Sequence, residues 1–438
     1  MKILKDRVGL MNYYKGNINR LDNWEKLKLK DVCSRIFSGG TPNTNKIEYW
    51  NGSLPWLSSG ETRNRLISKT ENTITELGVA NSSTRLAKAG SSVIASAGQG
   101  HTRGQVSYLL IDTYINQSII ALFPRDETMD SKFLFYSLNI KYERLRQISD
   151  DHSIRGSITT KLLGEELIDV PPIQEQIAIA KILSDLDAKY ELNQKMNKTL
   201  EAIAQAIFKH WFIDFEFPNE EGKPYKSSGG EMVDSERGEV PKGWKASTIG
   251  KELKTVLGGT PSTENKDYWS NASIPWINSG KINEFRIIFP SAYITVEGLK
   301  HSATKLMPKG TTVLAITGAT LGKVSIIERE MCANQSVVGV LGSEKLPSEY
   351  IYFWIKNNIN RLVSNQTGGA QQHINKGNID EIEILVPDSH IMEHYVKTIR
   401  PIFDKISSSS FEEHNLSKIR DIVLPKLMTG KIRVPLEE

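Results

Sequence analysis

PIQEQIAIAKILSDLDAKYELNQKMNKTLEAIAQAIFKHW, residues 172–211, is the stretch from which the fold can be read. Within it Ile179, Leu183, Leu186, Tyr190, Asn193, Asn197, Leu200, Ala204, Ile207 and Trp211 follow one another at alternating steps of four and three residues. That period is the seam of a coiled coil. The stretch has no Gly, and its only Pro opens it, where no intrahelical N–H is needed. A helix of about forty residues reaches roughly 60 Å. This is longer than a compact domain needs, so the expected role is a spacer.

A narrow seam needs a partner helix, and the chain supplies one 216 residues further on. Tyr395, Ile399, Ile402, Ile406, Ser409, Glu413, Leu416, Arg420, Val423 and Leu427 occupy the same ten seam positions. Polar residues stand at the same two places in both helices: Asn193 and Asn197 in the first, Ser409 and Glu413 in the second. Polar seam residues reduce stability and fix register, so the matched interruption points to two helices packed on each other. The alternative is that each covers its own domain, but so long and narrow a stripe does not suit a globular face. Pro401 lies inside the second pattern and is expected to kink that helix or delay its start.

Outward from the helices the chain is an internal duplication. Residues 39–60 read GGTPNTNKIEYWNGSLPWLSSG and residues 258–280 read GGTPSTENKDYWSNASIPWINSG. Asn116-Gln117-Ser118 returns as Asn334-Gln335-Ser336, Gly104-Gln105-Val106 as Gly322-Lys323-Val324, and Val170-Pro171 as Val386-Pro387. Short apolar runs such as 92–95 and 312–316, bounded by Gly, read as strands. Segments 132–142 and 349–359 read as short helices. The fold class expected is α+β, with two pseudo-symmetric strand-rich domains separated by two long coiled-coil helices in antiparallel arrangement. The boundaries are a first domain over 1–171, a helix over 172–212, a linker over 213–238, a second domain over 239–388, a helix over 389–429 and a tail over 430–438.

With 438 residues, the chain has room for two or three cored domains. Lys and Arg number 55 against 51 Asp and Glu, a net charge of +4 that permits nucleic-acid binding without demanding it. Two cysteines, Cys33 and Cys332, are too few for a disulfide framework or a cysteine zinc site. No apolar run is long enough for a signal peptide or membrane span, so a cytoplasmic protein with no membrane association is expected.

Catalytic motifs are not legible. The loop from Gly98 to Gly104 is one residue too long for a dinucleotide fingerprint, and the loop from Gly318 to Lys323 is one short for a phosphate loop. Val170-Pro171-Pro172-Ile173 lacks both flanking groups of the tetrad that amino-methyltransferases use. There is no metal-spaced histidine pair and no nucleophile elbow. No catalytic or metal residue is therefore assigned, and no cofactor is expected in this chain.

Differences between the repeats fall in polar loops. At the helical offset, Ser153-Ile154-Arg155-Gly156-Ser157-Ile158-Thr159 faces Gly369-Ala370-Gln371-Gln372-His373-Ile374-Asn375. Arg reads guanine O6 and N7 in a fork, and Gln can read adenine N6 and N7. The competing reading is an ordinary solvated loop. The candidate DNA contacts are Arg63, Arg65, Gln99, His101, Arg103, Arg155, Ser157 and Thr159 in the first repeat. In the second they are Lys281, Arg286, Thr320, Lys323, Gln371, Gln372, His373 and Lys376.

Taken together, Trp24, Gly39 to Pro42 and Pro55-Trp56, repeated as Trp244, Gly258 to Pro261 and Pro275-Trp276, resemble the DNA-specificity subunit of type I restriction-modification systems. Residues 208–215 (FKHWFIDF) and 424–432 (LPKLMTGKI) resemble the ends of that family's central and distal helical regions. The likeness covers almost the full length. It implies a non-catalytic protein whose two target-recognition domains each read half of a split double-stranded DNA target. It also implies two modification subunits carrying S-adenosylmethionine, and two restriction subunits using ATP and Mg. Two other readings stand beside it: a coiled-coil scaffold without DNA readout, and a self-sufficient restriction-methylation enzyme.

Overall fold

A computed structural model describes residues 23–98, 101–152, 156–235, 238–364 and 374–435. Gln99, Arg155, Gln371, Gln372 and His373 lie outside the described residues. The chain forms two compact units, one of residues 1–189 with 416–438 and one of residues 190–415.

The first unit is built on a five-stranded sheet ordered Cys33–Ser38, Ile119–Pro124, Ser92–Ala95, Val106–Leu109, Leu66–Ile67. All pairs are antiparallel except the last, which is parallel. Every residue of Ser92–Ala95 and Val106–Leu109 is buried, so neither strand alternates between a core face and a solvent face. A four-stranded sheet ordered Asn72–Ile74, Trp50–Leu57, Thr113–Ile115, Arg85–Ala87 completes the body. The second unit repeats this plan in Thr255–Leu257, Val337–Val340, Thr312–Ala315, Val324–Ile327 and Arg286–Ile287. Its smaller sheet has three strands, Ala292–Ile294, Ile274–Ile277 and Cys332–Ala333, and a single bridge from Met307 to Met331 stands where the fourth would be.

The repeated sequence motifs are parts of this scaffold. A Cβ at Gly39 would lie 1.8 Å from the Ile115 carbonyl oxygen, and one at Gly258 would lie 2.1 Å from that of Asn334, so only glycine permits the approach. Trp56 Nε1 donates to the Gly40 carbonyl at 3.3 Å and Trp276 Nε1 to that of Gly259 at 3.1 Å. Thr41 and Thr260 each bond the glutamine of the Asn-Gln-Ser motif, Gln117 and Gln335, at 2.5 Å. The Gly-Gly-Thr-Pro, Pro-Trp and Asn-Gln-Ser motifs therefore hold one another.

The long helices are Ile173–Phe212 and Ser389–Met428. Within the first unit Glu175 meets Arg433 at 2.6 Å, just beyond the second helix, and Asp187 meets Arg420 at 3.0 Å. Within the second, Asn193 donates to Glu412 at 2.8 Å, and Asn197 donates to Glu413 at 2.7 Å and Ser410 at 3.3 Å. Numbers rising along one helix meet numbers falling along the other, so the pair is antiparallel, and the polar layers expected from the seam coincide. Ile179, Leu183, Ile399, Ile406 and Leu427 are fully or nearly fully buried. Leu186, Tyr190, Leu200, Ile207, Ile402, Leu416 and Val423 are half-buried. The ends are wider than the seam. Phe208 and Phe212 of the first helix enter the core of the second unit with Tyr350 and Tyr395, and Leu424 and Met428 of the second helix enter that of the first. A globular core demands a broad apolar face where a two-helix seam does not.

The second helix starts at Ser389 and runs through Pro401 unbroken, so the expected delayed start does not occur. Pro401 and Lys397 are both exposed, and water can satisfy the Lys397 carbonyl that has lost its i+4 donor. The segment 213–238 is more than a linker. Met232–Ser235 and Gly238–Pro241 form an antiparallel hairpin, and Phe217 stacks between Tyr225 and Trp244 at 4.5 and 5.3 Å. Its Phe217 and Tyr225, packed on Trp244, supply the packing that a polar composition hid.

Burial pushes the Glu413 carboxyl up to about 7, opposed by the Asn197 hydrogen bond and aided by the nearby Glu284 carboxylate. The folded chain then holds a proton that the unfolded chain, at its ordinary 4.5, releases. Stability is expected to fall as pH rises from about 4.5 to about 7 and to level above that. Glu413→Gln keeps an acceptor for Asn197 and should remove this fall, which thermal unfolding across that pH range measures. An equal pH slope in both proteins would contradict the assignment.

Among the described residues no helix is long and apolar enough to cross a membrane.

Candidate nucleic-acid interface

Each five-stranded sheet carries one hairpin, residues 95–105 in the first unit and 315–323 in the second, closed in the same way. Ala95 N–H donates to the Gln105 carbonyl at 3.0 Å and Gly104 N–H to that of Ala95 at 2.9 Å. Ala315 and Lys323, and Gly322 and Ala315, repeat these bonds at 3.0 and 2.9 Å. Gly104 and Gly322 have φ of 86° and 79°, left-handed values that explain why both loops keep glycine there. Both glycines close a strand pair.

The described ends of the diverged loops, at Ile158 and Ile374, lie against these hairpins. Ile158 N–H donates to the Ser96 carbonyl at 2.8 Å, and Ile374 N–H to the Ile316 carbonyl at 3.1 Å. Ile158 and Ile374, the apolar residues kept between the repeats, are buried as anchors. In the first unit Arg103 reinforces the junction, donating to the Gly156 carbonyl at 3.0 Å and to Asp150 at 2.5 Å. In each unit, therefore, the hairpin and the described end of the diverged loop are joined by an equivalent backbone bond.

The candidate residues divide by environment. His101, Thr159 and Lys323 are exposed, and Ser157 and Thr320 are half-buried. Thr159 also caps the short helix Thr160–Gly164, accepting from Leu162 N–H at 3.2 Å. Arg63 is exposed and pairs with Glu71; Lys281 pairs with Glu284 at 3.0 Å and Lys376 with Asp380 at 2.6 Å. The exposed Arg63 pair is weak and leaves its cation free to exchange partners, whereas Lys281 and Lys376 are half-buried. Arg65 and Arg103 are largely committed to protein partners.

Arg286 does not belong with the surface candidates. Only 8% exposed, it pairs with buried Glu328 at 2.7 Å and is stacked against Phe285 and Phe403, with its guanidinium 4.7 and 4.4 Å from their ring centres. Residues 286–287 form an edge strand beneath the second long helix, whose Ser407 donates to the same Glu328 at 2.8 Å. Removing it from there would strand a buried carboxylate.

Sequence reasoning missed a hub beneath the first unit's loops. Asp187, on the first long helix, accepts from Arg65 at 3.2 Å, from Tyr136 OH at 2.8 Å and from Arg420 of the second long helix at 3.0 Å. Burial, then the Asp187 carboxylate, hold the Tyr136 phenol well above its ordinary range, so it remains a donor. The helical offset gave the available signal: Asp187 corresponds to Phe403, Arg420 to Ala204 and Tyr136 to Tyr352. Strand register adds Arg65 and Phe285, each one residue before the parallel edge strand. The second unit packs Phe285 against Tyr352 and Phe403 at 4.6 and 5.7 Å, aromatic where the first is ionic.

Among the described residues no group of three or more His, Cys, Asp or Glu could hold a metal ion. Burial pushes the thiols of Cys33 and Cys332 up to about 12 and about 11, which keeps them protonated.

The family model for the type I restriction modification DNA specificity domain matches residues 21–202 and again 241–418. The chain is 30% identical over 428 residues to the specificity subunit of the type I restriction enzyme MjaIX of Methanocaldococcus jannaschii, covering 94% of each. It is 25% identical over 389 residues to the HindI specificity subunit of Haemophilus influenzae, covering 75% of this chain and 84% of that one. In fold it is similar to the crystal structure of a type I restriction-modification S subunit from M. genitalium, with 15% identity, a TM-score of 0.62, and coverage of 94% of this chain and 97% of that one.

Proposed function

The chain belongs to the family of type I restriction-modification DNA specificity proteins, and from that premise we propose that it is the subunit that tells such a complex where to act. Each unit reads one short half of a bipartite double-stranded target. The helix pair sets the unread gap and docks two modification subunits. Those subunits carry S-adenosylmethionine, and through them two restriction subunits bring the ATP- and Mg-dependent motor and nuclease. The methyltransferase and endonuclease chemistry resides in these partners. The work of this chain is to hold polar loops at fixed positions against DNA, in the cytoplasm, where its target lies.

The observation that carries this reading is the pair of equivalent loop platforms. The same backbone bonds hold Ser157 and Thr159 in one unit and Thr320 and Lys323 in the other. A scaffold has no need to preserve the platform and vary the lining, whereas a reader of two different half-sites does. Basic loop residues would supply the salt-dependent attraction and the polar ones the discrimination.

The test is a gel-shift titration with the chain assembled on its modification partner. Duplexes carrying the intact bipartite target should bind at least a thousandfold more tightly than scrambled ones at physiological salt, on the order expected of a specific reader. Equal affinity for both would return the scaffold reading. Methyl transfer by the chain alone would return the self-sufficient enzyme.

A further inference from the structure

In the first unit a cleft of about 280 Å³ opens beside the hairpin loop, bounded by Thr62, Arg63, Arg65, Gln105, Asn139 and Tyr142. Two polar atoms of its lining, Oε1 of Gln105 and Nε of Arg65, are buried and meet no hydrogen-bond partner among the described residues. Buried polar groups are almost always satisfied, so two orphans on residues of one cleft single it out, and a rotation that turns the Gln105 amide into the cleft gives it a partner there.

The neighbouring groups are already in use. Arg65 donates through Nη1 to Asn139 at 3.1 Å and through Nη2 to Asp187 at 3.2 Å, which fixes its head. Tyr142 donates to the His101 carbonyl at 2.8 Å and accepts from Arg146 at 3.0 Å, which holds its ring in the wall. What is left for a ligand is the unpaired N–H groups of the Arg65 guanidinium, one side-chain amide, one aromatic ring and the exposed cation of Arg63. Either end of the Gln105 amide can be turned inward, because its orientation follows its partners. A glutamine amide pairs with a planar edge that carries a donor beside an acceptor, the edge a base shows in the major groove.

The second unit does not repeat this lining. Aligning Gly60 with Gly280, Gln105 with Lys323 and Tyr136 with Tyr352 places Asn283, Phe285, Lys323 and Asn358 where the first unit has Arg63, Arg65, Gln105 and Tyr142. All four are changed, although the strands around them are kept.

We infer that this cleft takes a base edge of the half-site read by the first unit, with Gln105 as the discriminating contact and Arg65 as the positioning residue beneath it. The inference rests on the DNA-reading function proposed above and extends the reading surface beyond the loop residues visible in sequence.

The experiment uses the full chain assembled with its modification partner and a set of duplexes in which each target position is varied singly. Gln105→Leu removes both hydrogen-bonding ends at similar volume. It should lower preference at one position of one half-site by on the order of tenfold or more, with the other half-site unchanged. Gln105→Lys, which installs the second unit's residue, should change the preferred base at that same position. Arg63→Gln alters only an exposed side chain and should weaken binding of targets with that half-site while the thermal midpoint holds. Unchanged preference at every position in both Gln105 variants, or an equal loss for all sequences with a shallower salt slope, would overturn the inference. A wild-type complex with no preference among the duplexes would instead overturn the DNA-reading function itself.

Discussion

A chain lengthened by one heptad in each long helix, after Asn197 and after Ser409, should direct methylation to targets whose unread gap is about three base pairs longer, with both half-sites unchanged. Seven helical residues add roughly 10 Å, and about 3.4 Å of duplex accompanies each base pair. The insertion points follow from the antiparallel pairing. Asn197 bonds Ser410 and Glu413, so cuts after Asn197 and before Ser410 leave that polar layer together on one side. A cut after Glu413 would separate Glu413 from Asn197. Lengthening one helix alone leaves that polar layer paired but shifts residues 198–212 by a heptad against 389–409, which pulls Phe208 away from Tyr395 in the core of the second unit. Assembly should then fail. An active double-insertion variant that modifies only the original spacing would show that these helices do not measure the gap.

Asp187→Ala should be the most damaging single substitution in the first unit. Removal of the carboxylate leaves Arg420 and Arg65 without their shared counter-charge and Tyr136 without an acceptor. Breaking a buried ion network from one side typically costs about 3–5 kcal/mol. The loss is local, so backbone amide exchange should accelerate in the buried segment 133–138 and around 183–187 while 350–355 is unaffected. The second unit shows what can replace the hub, because the same positions there are Phe285, Tyr352, Phe403 and Ala204. Removing all the charges together, as Arg65→Phe, Asp187→Phe and Arg420→Ala, should therefore cost less than Asp187→Ala alone. A triple variant less stable than the single one would mean that the aromatic arrangement depends on surroundings the first unit lacks.

Much of the architecture was legible because it repeats. The four-three seam with its polar layers located two helices and their pairing, and the duplicated Gly-Gly-Thr-Pro and Pro-Trp motifs located two units. Features set by distant partners were not legible. Arg286 reads as a loop cation until strand register places it under the second long helix. Asp187 looks like an ordinary helix charge, since its partners come from residues 65, 136 and 420. The 213–238 segment reads as linker because one aromatic pair, Phe217 and Tyr225, carries its packing among polar neighbours. Of the loop candidates, the sequence pattern identified the two equivalent platforms. Gln105 was visible only as part of a repeated triplet, and the orphaned amide oxygen that singles it out is a property of the folded cleft.

Genome-wide mapping of methylated bases, in a host carrying this chain with its modification partner and in the same host without the chain, tests the central claim most directly. The account predicts a single bipartite motif, two short specified halves around a fixed unspecified gap, present with the chain and absent without it. Exchanging the loops 98–105 and 153–159 for those of another reader should then alter one half of the motif and leave the other half and the gap intact. A continuous motif, a motif that persists without the chain, or an exchange that changes both halves at once would contradict it.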